Sequence, residues 1–228
     1  MSQLKSEVLA AFKEFDSPTI FNAVDLKIGP SNEDYTDHRI CSLLPELGPI
    51  IGYAVTAEVT TNDPDSSALP WEEYYGAIHQ AEGPVVAVIK DVDSRPGRGA
   101  SFGDGMARLH QRLGAVGAIV DGTVRDLPGI RQVGLPIFAW GTVPGHGVFA
   151  ATRVNTPVTV GQVRVRPGDL IFGDEDGCVR IPVQHAEEIL ELAAGVREKE
   201  AGIFAFYESD EFSFEKWRDS RRSGGQHS

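Results

Sequence analysis

Residues 84–126 run PVVAVIKDVDSRPGRGASFGDGMARLHQRLGAVGAIVDGTVRD, and they set the architecture. Residues 84–90 (PVVAVIK) and 115–121 (AVGAIVD) are short runs rich in Val and Ile without polar alternation. A strand loses that alternation when both of its faces are covered, so both runs are expected as buried strands. Between them lie a Gly/Arg-rich loop at 94–103 and a segment at 104–113 expected as a short helix. Buried strands alternating with helices point to an α/β fold whose sheet is at least partly parallel.

The pattern extends outward from there. Downstream, 127–133 fits a short helix, 136–140 a strand and 141–153 a Gly-rich loop. Residues 157–182 break into short strands at Pro167-Gly168-Asp169 and Asp174-Glu175-Asp176-Gly177, both turn sequences. Residues 184–200 close with a helix whose apolar positions include Ala186, Ile189, Leu190, Ala193 and Val196. Upstream, Leu4, Val8, Ala11, Phe12 and Phe15 share a helical face within residues 2–15, with Ser2 as the expected N-cap. Ser17-Pro18 fits an N-cap followed by Pro at the first helical position, opening a helix to about Leu26. Residues 29–49 read as irregular, 50–61 as a strand and 71–82 as a helix. With no repeat and no linker, residues 1–218 are expected as a single α/β domain and the last ten, 219–228, as a disordered tail. The meander-like second half argues against a pure Rossmann sheet.

Composition bounds the function. The 228 residues carry 33 Asp+Glu and 21 Lys+Arg, a net charge of −12, and such a field repels phosphate backbones. No nucleic-acid partner is expected, although a small anion held in a local basic pocket is compatible with that charge. Hydrophobic residues at 41% and charged residues at 24% exclude a wholly disordered chain. The longest uncharged run, 132–152, has membrane-spanning length but is broken by Pro136, Pro144 and four glycines, so no membrane span is expected. The first twenty residues lack a signal-peptide core. Cys41 and Cys178 form no metal or disulfide pattern, and two reduced thiols in a cytoplasmic protein are the expectation.

Polar punctuation is densest in residues 94–126. A helix start after glycines presents free backbone N–H groups and the positive end of the helix dipole, which suits a carboxylate. The carboxyl end of a buried strand is where open α/β sheets place ligands. Asp104 and the Arg125-Asp126 pair are separated by twenty intervening residues, enough for a helix and a strand to return both to one end of the sheet. A carboxylate there suits a hard divalent cation, and the guanidinium suits an anionic substrate. Spacing alone is a weak signal and favours the plainer reading, Asp104 as a helix cap and Arg125-Asp126 as a loop ion pair.

Other chemistries find no support. Gly97, Gly99, Gly103 and Gly105 spell GxGxxxGxG, neither a dinucleotide fingerprint nor a P-loop, and there is no GxSxG or HExxH. The six histidines show no ligand spacing. Lys90, beside Asp91, reads as an ion-paired surface residue. Arg95 and Arg98 make their loop basic, either for a second substrate carboxylate or as a solvated loop.

The blocks LGAVGAIVDGTVRD (113–126), LPIFAWGTVP (135–144) and TPVTVGQVRVRPGDLIFGDEDGCVRIP (156–182) resemble the RraA-like family, as do SPTIFNAV (17–24) and IIGYAVTAEV (50–59). That family includes class II pyruvate aldolases acting on 4-hydroxy-4-methyl-2-oxoglutarate and 4-carboxy-4-hydroxy-2-oxoadipate, and regulators that inhibit a ribonuclease. The resemblance implies an α-β-β-α sandwich of the swivelling β/β/α type, assembled as a homotrimer or homohexamer with sites between subunits. It implies a lyase that cleaves a 4-hydroxy-2-oxo acid to pyruvate and also decarboxylates oxaloacetate, with a non-catalytic regulator as the alternative. It further implies Asp126 as the direct ligand of Mg²⁺ or Mn²⁺, Arg125 at the pyruvyl oxygen, and Asp104 positioning a water for proton transfer. Gly103 and the backbone N–H groups of Gly105 and Met106 would bind the carboxylate of a small anionic 2-oxo acid. A glutamate from a neighbouring C-terminal helix, Glu200 or else Glu198, would complete the site. The chain departs from the family at Leu127-Pro128-Gly129-Ile130-Arg131, which lacks the acidic residue that metal-binding members often place after Arg-Asp.

Overall fold

The structure is a computed structural model describing residues 3–63 and 67–223, so the expected N-cap Ser2 lies outside it. In chain order its elements are α1 (Ser6–Phe12), α2 (Ser17–Ile28), β1 (Cys41–Ser42), β2 (Ile50–Thr60), α3 (Trp71–Gln80) and β3 (Val85–Asp91). There follow β4 (Ala100–Phe102), α4 (Asp104–Arg112), β5 (Ala115–Val124), α5 (Leu127–Val133), β6 (Ile137–Thr142) and β7 (Ala150–Val154). The chain closes with β8 (Val158–Val160), β9 (Val163–Val165), β10 (Leu170–Asp174), β11 (Gly177–Ile181), α6 (Ala186–Tyr207) and α7 (Phe214–Ser223). Among the described residues no helix is long and apolar enough to cross a membrane.

The main sheet runs β1-β6-β5-β3-β2-β10-β11, with β4 added to β5 and β7 to β2. Its centre, β2, β3, β5 and β6, is parallel, whereas β1, β7, β10 and β11 join antiparallel. The four parallel strands are laid down in one direction across the sheet. Right-handed crossovers then put every connecting helix on the same face. Tyr74 and Ile78 of α3, Ala107 of α4 and Ile130 of α5 accordingly pack with Val55, Ala57, Ala87, Ile89 and Val120. The opposite face, through Ala54, Val86, Val88 and Ile119, is covered by the β8–β9 ribbon, whose Val158, Val160, Val163 and Val165 all point inward. This double coverage explains why β3 and β5 lack polar alternation. Beyond β2 a second helical group forms: Phe12 of α1, Ile20 and Val24 of α2 and Ile189 of α6 pack on Ile51, Tyr53, Leu170, Phe172 and Val179. Each such fully buried aliphatic or aromatic side chain contributes about 1.5–3 kcal/mol.

Several elements differ from expectation for identifiable reasons. Helix α1 is confined to Ser6–Phe12, shorter than 2–15. The N-cap of α2 is Asp16, whose Oδ1 accepts the Thr19 N–H at 2.8 Å, because Ser17 is recruited by Asp174 through both its N–H and its hydroxyl. Strand β5 runs through Asp121-Gly122 to Val124 rather than ending there. The Asp121 carboxylate is held inside the sheet by Lys90 Nζ at 2.6 Å and Trp140 Nε1 at 2.7 Å. The loops at 94–103 and 141–153 contain β4 and β7, short strands specified by their partners β5 and β2. Helix α6 continues to Tyr207, and α7 takes up residues 219–223 of the expected tail. Residues 224–228 lie outside the described part.

Candidate functional site

The carboxyl ends of the parallel strands are knitted together by loops. Asp93, after β3, accepts the Thr60 hydroxyl at 3.1 Å, the Thr61 N–H at 3.2 Å and the Arg95 N–H at 2.8 Å. Asp91 accepts the Gly97 N–H at 2.7 Å, and burial raises its carboxyl above the usual range. Thr61 and Trp140 lie where side chains on Gly99 and Gly97 would stand, so the glycines of this loop serve close packing, and no phosphate cradle is needed to account for them. Arg95, Arg98 and His146 are exposed on these loops.

At this end β4 brings Gly103 beside the end of β5, where the Arg125 N–H donates to Phe102 O at 2.9 Å. Asp126 then adopts a left-handed conformation (φ 60, ψ 36) at the N-cap of α5. Asp tolerates this region better than most residues, yet it costs of order 1 kcal/mol, and such outliers concentrate at functional sites. Its carboxylate does not cap α5. Instead Oδ2 lies 3.2 Å from Arg125 Nε and over Gly103, where a Cβ would stand 3.1 Å from it. Gly103 therefore keeps space for both site side chains.

Asp104 is the first residue of α4, and its Oδ2 meets Arg108 Nη2 at 3.2 Å one turn on. Its carboxylate presses on α5 at Gly129, where any Cβ would stand 2.5 Å from Oδ2. Gly129, a residue not singled out from sequence, thus fixes where Asp104 sits. Side-chain exposures of 37% for Arg125, 46% for Asp126 and 37% for Asp104 leave all three open to a ligand. Ion pairs this exposed contribute at most about 1 kcal/mol, so a ligand can displace them cheaply.

Helix α4 begins without a side-chain cap at Gly103, and its first internal bond is from Ala107 N–H to Gly103 O at 3.0 Å. The N–H groups of Asp104, Gly105 and Met106 have no acceptor within the helix. Nothing lies within 4 Å of where a Gly105 Cβ would be, so that end is open. Asp104, Gly105, Met106, Arg125 and Asp126 thus meet where α4 and α5 begin, with Gly103 between. Glu198 and Glu200 lie on α6, whose main packing is against α1 and α2, and no hydrogen bond or ion pair joins them to this group. Lys90 is ion-paired with Asp121, as its reading as a paired residue requires, and not with Asp91.

The acidic donors are carboxylate oxygens alone, which matches a hard cation such as Mg²⁺ or Mn²⁺. Among the described residues no group of three or more His, Cys, Asp or Glu converges, so water would fill most positions around such an ion, as it does for Mg²⁺. A cavity of about 770 Å³ lies elsewhere, at the amino end of the parallel strands, lined among others by Tyr53, Arg166, Asp169 and Arg180. Arg180 is committed there to Asp34, through Nε at 2.9 Å and Nη2 at 2.6 Å. That cavity and this chemistry therefore lie at opposite ends of the sheet, and the oxygen donors, open amides and arginine favour the site where α4 and α5 begin.

His110 of α4 is the other polar group near this site that spacing alone did not reveal. It is wholly buried, its Nε2 2.7 Å from Tyr74 Oη and its Nδ1 2.7 Å from Met106 O. Burial pushes its imidazole from the usual 6.5 down to about 4.

The family model described as "RraA-like: Aldolase/RraA" matches residues 19–180. A Halalkalibacterium halodurans protein named "Putative 4-hydroxy-4-methyl-2-oxoglutarate aldolase" is 30% identical over 195 residues, 85% of each chain. Among solved structures, an uncharacterised protein from Pseudomonas syringae pv. tomato has a TM-score of 0.75 at 23% identity, covering 96% of both chains. Streptomyces coelicolor RraAS2, titled an unusual member of the RNase ES inhibitor RraA protein family, has a TM-score of 0.70 at 24% identity, covering 90% of this chain and 98% of that one. At these identities the two structures establish the shared fold.

Proposed function

Because the chain belongs to the RraA-like family of aldolases and RraA proteins, we propose that it is a divalent-metal-dependent lyase that cleaves a 4-hydroxy-2-oxo acid to pyruvate. The observation that carries this reading is Asp126, strained into a left-handed conformation with its carboxylate withheld from capping and set beside Arg125. The substrate carboxylate is received at the open start of α4 by the Gly105 and Met106 N–H groups, with Gly103 leaving the approach clear. Arg125 donates to the 2-oxo oxygen. When the C3–C4 bond breaks, C4 becomes a carbonyl and the bonding pair passes to C3, giving an enolate whose charge falls on that oxygen. A preorganised guanidinium stabilises it there without reorganising at the moment of reaction. Asp104, through a water, takes the 4-hydroxyl proton and returns one to C3, so that pyruvate leaves with the proton balance closed. Mg²⁺ or Mn²⁺ held by Asp126, when bound, supplies further positive charge against the enolate. Loss of carbon dioxide from oxaloacetate generates the same enolate, so decarboxylation belongs to the same site. Glu200, on the half-buried side of α6, would reach the site of a neighbouring subunit in a homotrimer or homohexamer.

The test is pyruvate release from 4-hydroxy-2-oxo acids and from oxaloacetate. It should depend on added divalent metal and fall at least about a hundredfold in Arg125→Ala, the scale of losing one oxyanion donor. No turnover across a broad panel of such acids would overturn the reading. The second reading is a non-catalytic regulator: among the described residues no third carboxylate joins Asp104 and Asp126, although the retention of Asp104, Arg125 and Asp126 together weighs against it. Calorimetry showing no metal binding, together with specific binding to a ribonuclease, would establish that one instead.

A further inference from the structure

Tyr74 and His110 form a buried pair beneath the turn of α4 that carries Gly105 and Met106, and the proposed chemistry does not use them. Both residues are completely buried. A carbonyl oxygen only accepts hydrogen bonds, so His110 Nδ1, 2.7 Å from Met106 O, carries the ring hydrogen. The neutral ring leaves Nε2 bare, and the Tyr74 hydroxyl, 2.7 Å away, donates to it. The rings of Phe102 at 4.9 Å and Tyr75 at 5.5 Å hold the imidazole in place. Phe102 is the neighbour of Gly103 in sequence.

The hydrogen bonds continue in one direction from there. The peptide that accepts at Met106 O donates through Ala107 N–H to Gly103 O at 3.0 Å. The peptide that accepts at Gly103 O ends in Asp104 N–H, the first amide of the helix, which has no acceptor within it. Hydrogen bonds in series polarise one another, strengthening each by roughly 10–30%. The series Tyr74 hydroxyl, His110 ring and two peptide groups therefore ends on a free donor at the site.

On the reading that this helix start receives the substrate carboxylate, we propose that Tyr74 and His110 are positioning residues. They fix the first turn of α4 and strengthen Asp104 N–H as an additional donor to that carboxylate. The experiment titrates pyruvate, in the presence of Mg²⁺, into the full chain and its variants by calorimetry, and follows the Asp104 and Ala107 amide protons by NMR. Tyr74→Phe keeps the ring and removes only the donor; it should weaken pyruvate binding roughly 1.5-fold to fivefold and shift both amide protons upfield, with Mn²⁺ affinity unchanged. His110→Leu should do the same, and His110→Asn, which returns an N–H near the Nδ1 position, should recover most of the affinity. If His110→Leu does not fold, Tyr74→Phe alone decides. A folded Tyr74→Phe protein with wild-type pyruvate affinity and unshifted amides would overturn the proposal while leaving the site reading intact. Wild-type protein that fails to bind pyruvate, or Arg125→Ala that binds it equally well, would overturn both.

Discussion

Among the groups through which acidification should destabilise this protein, His110 can be isolated experimentally. Its ring is wholly buried, and burial lowers its pKa from 6.5 to about 4 against the raising effect of its bond to Met106. Below pH 6.5 the unfolded chain takes up a proton at this position, whereas the native one does so only near pH 4. The unfolded state thus binds more protons across this window, and stability falls as pH falls. Two and a half units at 1.36 kcal/mol each, less the half-protonation of the native ring at the lower limit, gives about 3 kcal/mol lost by pH 4. With a urea slope of about 2–3 kcal/mol/M, this amounts to a midpoint about 1 M lower. The assay is urea unfolding at fixed protein concentration, stepped from pH 7 to pH 4, for wild type and His110→Gln. Every other titrating group is common to both proteins, so the difference between their pH slopes belongs to His110. The variant should start less stable at pH 7 and converge on wild type as pH falls. Parallel curves, with slopes agreeing within about 0.5 kcal/mol over the window, would refute the reasoning, since that is the usual limit of additivity.

Three further outcomes follow from geometry already described. Gly129→Ala places a methyl group 2.5 Å from Asp104 Oδ2, so Asp104 must move; pyruvate release should drop at least about tenfold with the fold retained, as checked by circular dichroism. Asp126→Asn keeps a residue that tolerates the left-handed conformation while removing the charge, so Mn²⁺ binding measured by electron paramagnetic resonance should be lost with stability changed by less than about 1 kcal/mol. Arg180→Met strands the Asp34 carboxylate, only 4% exposed, without its partner, and should cost about 3 kcal/mol in chemical unfolding; a loss below 1 kcal/mol would show that water reaches Asp34.

The parts of the fold legible in the sequence are those whose pattern is local. Strands β3 and β5 announced themselves because coverage on two faces demands continuous Val and Ile, and α5 because its boundaries are a Pro near its start and Gly134 past its end. What escaped depends on distant partners. Ser17 has every local mark of an N-cap, but Asp174, 157 residues away, claims it. Strands β4 and β7 are too short to show a period and exist through their pairing. The far half of α6 carries Ile203 and Phe204 exposed, so no core stripe marks where the helix should stop. In the candidate site, spacing along a strand-and-helix unit showed only that Asp104 and the Arg125-Asp126 pair can reach one end of the sheet; the roles proposed for them rest on the family resemblance. Gly129 and His110 were not legible, because one acts by allowing helices to touch and the other by a burial that no single-chain spacing encodes.

Strand β2 has a consequence for how the molecule comes apart. Its odd residues serve both helical groups, Ile51 and Tyr53 the one built on α1, α2 and α6, and Val55, Ala57 and Val59 the one built on α3 to α5. Its even residues Ile50 and Ala54 lie under the ribbon. Neither half of the domain can therefore melt without stripping apolar contacts from a strand that the other half shares. Partial opening that spares one group is disfavoured for this reason, and the amides at the middle of β2 should exchange with solvent only through global unfolding.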